Sequence, residues 1–464
     1  MPTTSRTPTL SQSMAEAVAS FDLSMVGPAP VAKAKACLLD FLSCAFESID
    51  LPWGRQARAV APASGGAHIV GSAEAATPGD AAFANAVLGH GLVREDMHAA
   101  SLSHHGVVVW PALLALAERH PVHGARLLGA AILGYEVGCR VGRALFDAGL
   151  ARLFRPTGLV GPIGAAAGGA YLLGLDAERT AAAIAFGTNA AAGLNQWPHS
   201  GGSDMYFHPG FAARSALTAV ELAALGAFGS PDILEGEAGL FAAFGRKPAP
   251  ADIPLFPEGK ADILGVYNKP VAACNFAQTA CQAALRLAAE LTGDAAPVES
   301  VSVRVAQAAV RYPGCDFQGP YERALQAKMS IQFGVAAALV HRRLGEANYQ
   351  RLDDPEVLRI VRACELQPDP EFTAAFPAAQ GAEVEVSLKD GRRLKTSLRD
   401  VVPATEADIR ARFRESAGAV LGAERADAIE EFVDGIETKG DAGQLMQLCA
   451  ATAKNARTAG RRPA

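Results

Sequence analysis

The chain has 464 residues, half of them hydrophobic, and a net charge of −6 with Lys and Arg scattered rather than clustered. That length exceeds one typical domain and supports a large core. The mild, dispersed charge argues against nucleic acid or an anionic membrane as the main partner.

The eight cysteines form no CxxC pair and no Cys/His zinc spacing, so no metal site is expected. Most fall on apolar helical patterns, where a free thiol packs as a small hydrophobe. The N-terminal residues 1–13 lack the apolar core of a signal peptide, and no apolar run reaches membrane-spanning length. These features lead us to expect a soluble, cytoplasmic protein. Alanine and glycine dominate, so the helices are expected to pack closely through small side chains.

In chain order, residues 14–49 read as helix, with 31–42 core-facing after Pro28 and Pro30. Residues 62–78 are rich in Gly, Ala and Ser and hold one short apolar run, 67–70, with strand character. A helix through 82–88 breaks at Gly89-His90-Gly91, and Pro111 opens the next apolar helix, which runs to Glu118. Amphipathic helix follows over 125–148, then an Ala/Gly helix ending near Gly174, then one capped by Asp176 over 177–188. The glycine-rich loop 200–210 leads into a helix over 211–225, and 232–244 reads as a short helix.

Beyond about residue 265 the period changes. Residues 298–305 and 382–388 alternate as half-buried strands, and Lys389-Asp-Gly-Arg offers a hairpin turn before 393–398. Helices are expected at 321–343 and 354–363 between them, and again from 405 to 453, with 458–464 frayed. The fold class read from this pattern is mainly α. A large all-helical domain spans 1–265, rejoined by 405–455, and a smaller α+β lid domain spans 266–404.

The loop between the helices at 82–88 and 111–118 concentrates titratable groups: Arg94, Glu95, Asp96, His98, Ser103, His104 and His105. Such a cluster between buried helices is where proton-transfer chemistry is expected. Histidine needs only a small push to serve as base or acid near neutral pH.

This stretch, the loop 154–164, His208-Pro-Gly, Asp232-Ile-Leu-Glu-Gly and Lys269-Pro-Val-Ala-Ala-Cys together resemble the MmgE/PrpD family, in the same order over residues 14–453. That family includes 2-methylcitrate dehydratase, cis-aconitate decarboxylase and iminodisuccinate epimerase. The resemblance implies a helical domain with an α+β lid, an active site in the cleft between them, a homodimer and no cofactor. Its pattern is close to H-x-L-D-F-D-D-T-H followed by H-P-x-x-x-V-L-P. Here Asp96, His98 and His104 are kept, but the first acidic position is Val93. Arg155 stands where a histidine is usual, Met205 replaces a lysine and Phe333 a tyrosine, while Lys269 is retained.

Family substrates are small polycarboxylates that gain or lose a proton next to a carboxylate. The resemblance therefore casts His104 as base or acid, with Asp96 or His98 orienting it. Lys269 and Arg155 become the carboxylate clamp, with Tyr206 and Ser103 as further donors. His208-Pro-Gly reads first as scaffold at a helix start, although N–H groups there also suit an anion. Val93, Met205 and Phe333 make the pocket drier and less cationic, which disfavours a tricarboxylate and cis-aconitate decarboxylation. Three readings stand: a cofactor-free lyase of dehydratase type, an isomerase or epimerase using the same pair, and a member that binds without turnover.

Overall fold

Small residues set the spacing of the helices. A Cβ at Gly164, on the helix Pro156–Leu173, would stand 2.3 Å from the Gly134 carbonyl oxygen of the helix Gly124–Leu145. One turn on, a Cβ at Gly168 would stand 2.5 Å from the Ala130 oxygen. The two backbones approach as only glycine permits, and the pair forms the centre of the core.

The computed structural model describes residues 8–291 and 297–451, so the stretch 458–464 lies outside it. Among the described residues the chain is mostly helical, and no helix is long and apolar enough to cross a membrane. Helices Gly106–Arg119 and Asp204–Ala224 pack against the central pair, and Pro78–His90 packs on those two in turn, nearly all their inward side chains buried. Asp176 caps Ala177–Asn189 by accepting from the Arg179 N–H at 2.9 Å. Helix Glu406–Leu421 lies along Pro28–Glu47, with Phe413 edge-on to Phe46 at 6.3 Å.

The first 265 residues are not all-helical. Strand β1 (Ala67–His68) pairs with β2 (Ala75–Ala76), and β3 (Met97–His98) pairs antiparallel with β4 (Val266–Tyr267). A four-stranded sheet has the order β6-β5-β7-β8, from β5 (Val298–Val305), β6 (Cys364–Pro368), β7 (Ala382–Leu388) and β8 (Arg393–Leu398). Strands β5, β7 and β8 fall where alternation places them. Gly391, at φ +87°, turns the β7–β8 hairpin. Strand β6 runs parallel to β5 and has no alternating burial, so its pattern carries no strand signal.

Several helices differ from the sequence expectation. Of the helix expected over 232–244 only Leu240–Ala243 forms. The run 14–49 is broken between Leu10–Ala19 and Pro28–Glu47, where Gly27 at φ +68° precedes two prolines. Helix Gly106–Arg119 begins before Pro111, because the N–H groups of Val108 and Val109 already reach the His105 carbonyl. Helix Asp204–Ala224 begins before His208-Pro-Gly, which lies inside it rather than at its entrance. The expected helix over 321–343 is two, Ala324–Met329 and Ile331–His341, split at Ser330. The Ser330 backbone is extended, and its hydroxyl caps the second helix at the Phe333 N–H.

Candidate active site

The loop after Pro78–His90 and the segment after β4 are stitched together by the β3–β4 ribbon, Met97 opposite Tyr267 and His98 opposite Val266. That ribbon returns Lys269 to the loop. Its Nζ donates to the Val93 carbonyl at 2.9 Å and to the Ala273 carbonyl at 3.3 Å, and the side chain is completely buried. Val93 holds φ at +58°, a left-handed conformation costly for a β-branched residue. This twist aims the Val93 carbonyl at Lys269 and turns Glu95 inward.

Glu95 Oε1 accepts from His90 Nδ1 at 2.7 Å and lies 3.1 Å from His104 Nδ1. His104 Nδ1 also faces the Asp96 carbonyl at 2.8 Å. Two acceptors at Nδ1 require that this nitrogen carry the proton. The Nε2 of neutral His104 is then a free lone pair, with no hydrogen-bond partner among the described residues.

Burial holds His104 well below the usual histidine range, with the Lys269 charge adding to it and Glu95 opposing. His90 is lowered the same way, mainly by burial. Burial alone would raise the Glu95 carboxyl, but His90, His104 and Lys269 outweigh it and keep Glu95 ionised. Lys269 is lowered by burial and partly held up by Glu95. The group is an ionised carboxylate serving two neutral imidazoles beside a buried amine.

His104 and Lys269 open on a cavity of about 360 Å³. Val93, Met205 and Arg155 line it too, with Trp197, Phe276 and Phe376 supplying apolar wall. No Asp or Glu lines it, whereas Arg152, Arg155, Arg311 and Lys269 all do. Arg155 stacks over the Trp197 ring at 5.5 Å and donates to His90 Nε2 at 3.1 Å. An acid-free cavity with four cations and an apolar wall suits an organic anion.

The other sequence-selected residues stand outside the lining. The Asp96 carboxylate meets the Tyr135 hydroxyl and the Gly106 N–H, so only its backbone carbonyl touches His104. His98 pairs with Ser101 Oγ at 2.7 Å and faces Arg143 at 3.2 Å. Ser103 bonds His105 at 2.7 Å. Tyr206 stacks on Trp53 at 3.8 Å, and His208 Nε2 lies 3.9 Å from Asp204. Phe333 packs against Tyr321 and Tyr349 in an aromatic cluster.

Residues not selected from sequence contribute as much. Glu95 and His90 were legible as members of the polar loop, but their roles depend on its twist. Arg152, Arg311 and Tyr312 line the cavity without any pattern that marks them. Lys328, fully buried, pairs with Glu346 at 2.6 Å and donates to the Gly91 carbonyl at 3.1 Å, bracing the loop from behind.

One group among the described residues has metal-ligand composition: His98, His105 and Cys139, with donor atoms within 4.8 Å of one another. His98 Nδ1 is occupied by Ser101 and the Arg143 guanidinium faces Nε2, a charge that opposes a bound cation.

Sequence comparison places the chain among known proteins. The profile of the MmgE/PrpD N-terminal domain matches residues 12–252, and that of the MmgE/PrpD C-terminal domain matches residues 271–438. The chain is 27% identical over 449 residues to the cis-aconitate decarboxylase-like protein oryM of Aspergillus oryzae, covering 90% of this chain and 92% of that one. It is 26% identical over 449 residues to the cis-aconitate decarboxylase of Aspergillus terreus, covering 90% and 91%. The mouse cis-aconitate decarboxylase is 26% identical over 396 residues, covering 80% and 78%.

Proposed function

The chain belongs to the MmgE/PrpD family, and from that premise we propose that it is a lyase acting on a small carboxylic acid by proton transfer next to a carboxylate. One observation carries the reading. His104, whose Nε2 has no hydrogen-bond partner among the described residues, lines an acid-free cavity beside Lys269. A substrate carboxylate pairs with Arg155, aided by Arg152 or Arg311, which places its neighbouring carbon near His104.

His104 Nε2 takes the carbon-bound proton. The imidazolium that forms keeps its Nδ1–H on the Asp96 carbonyl and is stabilised by the Glu95 charge 3.1 Å away. Lys269 stands beside the negative charge that develops on the carboxylate-stabilised carbanion. Loss of water or another group from the adjacent carbon completes the elimination, the departing group taking a proton from imidazolium or ammonium. General acid–base assistance of this kind contributes about 10²–10⁴-fold.

The relatives' named reaction, decarboxylation of cis-aconitate, is not the one we favour for this chain. Val93 stands at the first acidic position of the family pattern, and Val93 and Met205 both line the cavity as apolar side chains. Phe333 does not line it and bears on the core instead. We read the substrate as an acid with fewer than three carboxylates, or with an apolar portion facing Val93 and Met205. The division into 1–265 with 405–455 and a lid of 266–404 is part of the proposal. Its support is that both segments contribute walls to the cavity. A homodimer is proposed on family grounds.

A second reading, isomerase or epimerase, is favoured by one observation: two proton carriers, His104 and Lys269, line one cavity from separate segments. A proton NMR time course in heavy water over unsaturated and hydroxylated mono-, di- and tricarboxylates tests both. Group loss that disappears in His104→Ala and Lys269→Ala supports the lyase, and deuterium entry without group loss supports the isomerase. Decarboxylation of cis-aconitate, or its binding at micromolar affinity, would overturn our substrate assignment.

A further inference from the structure

All eight thiols are free and buried, yet two of them stand apart. Cys274 lines the cavity, and its Sγ lies 3.7 Å from that of Cys315. Each is held by backbone contacts to the same short segment. The Cys274 N–H donates to the Lys328 carbonyl at 2.8 Å, and the Ile331 N–H donates to the Cys315 carbonyl at 2.9 Å. The Cys315 N–H in turn donates to the Tyr312 carbonyl at 3.1 Å. Cys315 therefore sits at the foot of the turn that presents Arg311 and Tyr312 to the cavity.

We propose that Cys274 and Cys315 are a peroxide-reactive dithiol pair, Cys274 the attacking sulfur at the cavity wall and Cys315 the resolving sulfur behind it. The chemistry is distinct from the proton transfer described above. Only the expected loss of activity rests on that reading of the cavity.

Electrostatics agree with the geometry. The thiol hydrogen bond from Cys315, working against burial and helped by the Lys269 charge, brings Cys274 down to about 7. Burial pushes the other seven thiols up instead. In the first step the Cys274 thiolate attacks one oxygen of hydrogen peroxide. The O–O bond breaks, the sulfur is oxidised to a sulfenic acid, and the departing hydroxide is protonated to water. The Cys315 sulfur then attacks the sulfenic sulfur. An S–S bond forms, the S–O bond breaks, and the departing hydroxide takes the Cys315 proton to leave as water. Two thiols and one peroxide give one disulfide and two waters.

Closing the bond brings the sulfurs to about 2.05 Å. It draws the Cys274 wall toward the Arg311–Tyr312 turn and withdraws the thiolate from beside Lys269. Displacements on the scale of 1 Å in a positioned site cost roughly 10²-fold in rate.

The test treats the full chain with hydrogen peroxide, alkylates the remaining thiols and maps the peptides by mass spectrometry. The expected result is a cross-link between the peptides holding Cys274 and Cys315 before any other cysteine is oxidised. It should be reversed by dithiothreitol, with activity lost and regained in step. In Cys315→Ser, dimedone should label Cys274 and no cross-link should form. Should that variant fail to fold, the wild-type map still decides. Oxidation beginning at another cysteine, or Cys274 passing to sulfinic acid without a cross-link, would overturn the proposal. A clean cross-link with no change in activity would leave the dithiol pair standing and count against the catalytic reading of the cavity.

Discussion

His104 Nδ1 lies 2.8 Å from the Asp96 carbonyl, which fixes which of its two nitrogens is basic, and Glu95 stands 3.1 Å from the same nitrogen as its counter-charge. In Glu95→Gln the amide can present either an acceptor or a donor to Nδ1, and the imidazolium loses its counter-charge. We expect kcat to fall by about 10²-fold or more with KM little changed, as for a group that acts only when charge develops. Steady-state kinetics on the substrate found in the carboxylate panel measures this. A variant within a factor of a few of wild type would remove Glu95 from the mechanism.

Lys269 combines two duties that substitution separates. Lys269→Met leaves the Val93 carbonyl without its donor and removes a counter-charge from Glu95, so stability should drop by about 1–3 kcal/mol. Activity should fall much further than that loss explains. Lys269→Arg keeps the charge, but a planar guanidinium cannot take the place of one Nζ shared between the Val93 and Ala273 carbonyls, and we expect it to restore neither. Denaturant melts beside kinetics discriminate the two effects. Full activity in the methionine variant would mean that the amine only braces the loop.

The pH profile carries its own sign. His104 must be neutral to act, and burial holds it well below its ordinary value of 6.5. The acid limb of kcat/KM should therefore break below pH 6.5. An acid limb breaking above that value would point to a different base.

Stability should follow the buried histidines. His98 and His105 are lowered by burial to about 3 and His208 to about 4. Each is neutral in the folded state over a range where the unfolded chain binds a proton. Their contribution is complete above pH 6.5 and is lost as pH falls toward those values. Asp96, raised by burial to about 6, acts in the opposite direction between its ordinary 3.8 and that value. His90 and His104, lowered in the same way, join these three histidines, while Asp40, Glu118, Glu136 and Glu346, raised by burial, join Asp96. The histidines start to lose their contribution first on acidification, so the protein should weaken as the pH falls from 6.5 toward 4. Thermal melts across that range would show a flat or rising Tm on acidification if this balance is misjudged.

Gly164→Ala tests the helix packing. Alanine gains up to about 1 kcal/mol of helix propensity over glycine. Its Cβ, however, would meet a backbone oxygen at 2.3 Å, and neither helix can yield without moving its neighbours. We expect a net loss of about 1–3 kcal/mol, read from denaturant midpoints. A stabilised variant would show that the two helices have slack.

The sequence was most readable where one face of an element is wet. Strands β5 and β7 alternate because each has a buried and an exposed side, and both fall on the residues that alternate. Strand β6 has a single buried residue at its start and no alternation to read. Fully buried helices gave poor boundaries. Gly106 and Ser330 are set by hydrogen bonds from elsewhere in the fold, so neither Pro111 nor a long apolar run marks the true end. In the site, His104 and Lys269 could be picked by motif. The choice between Glu95 and Asp96, adjacent in sequence, could not. It depends on the positive φ of Val93, which aims one carboxylate at the histidines and the other at Tyr135. Arg311 and Tyr312 reach the cavity only through a tertiary turn.

The two-residue ribbon of β3 and β4 should be among the last contacts to form when the protein folds. It joins positions 97–98 to 266–267 across a long stretch of chain, beside the bonds that tie Asp262 to Glu136, Arg140 and Arg143. Such a contact has little to hold it until the helices on both sides are in place. Lys269 therefore meets Val93 late, and the proton-transfer group forms after most of the helical content. During refolding from denaturant, far-UV ellipticity should return first and binding of a carboxylate ligand last. A newly made chain would be compact and still unable to act until this small clasp closes.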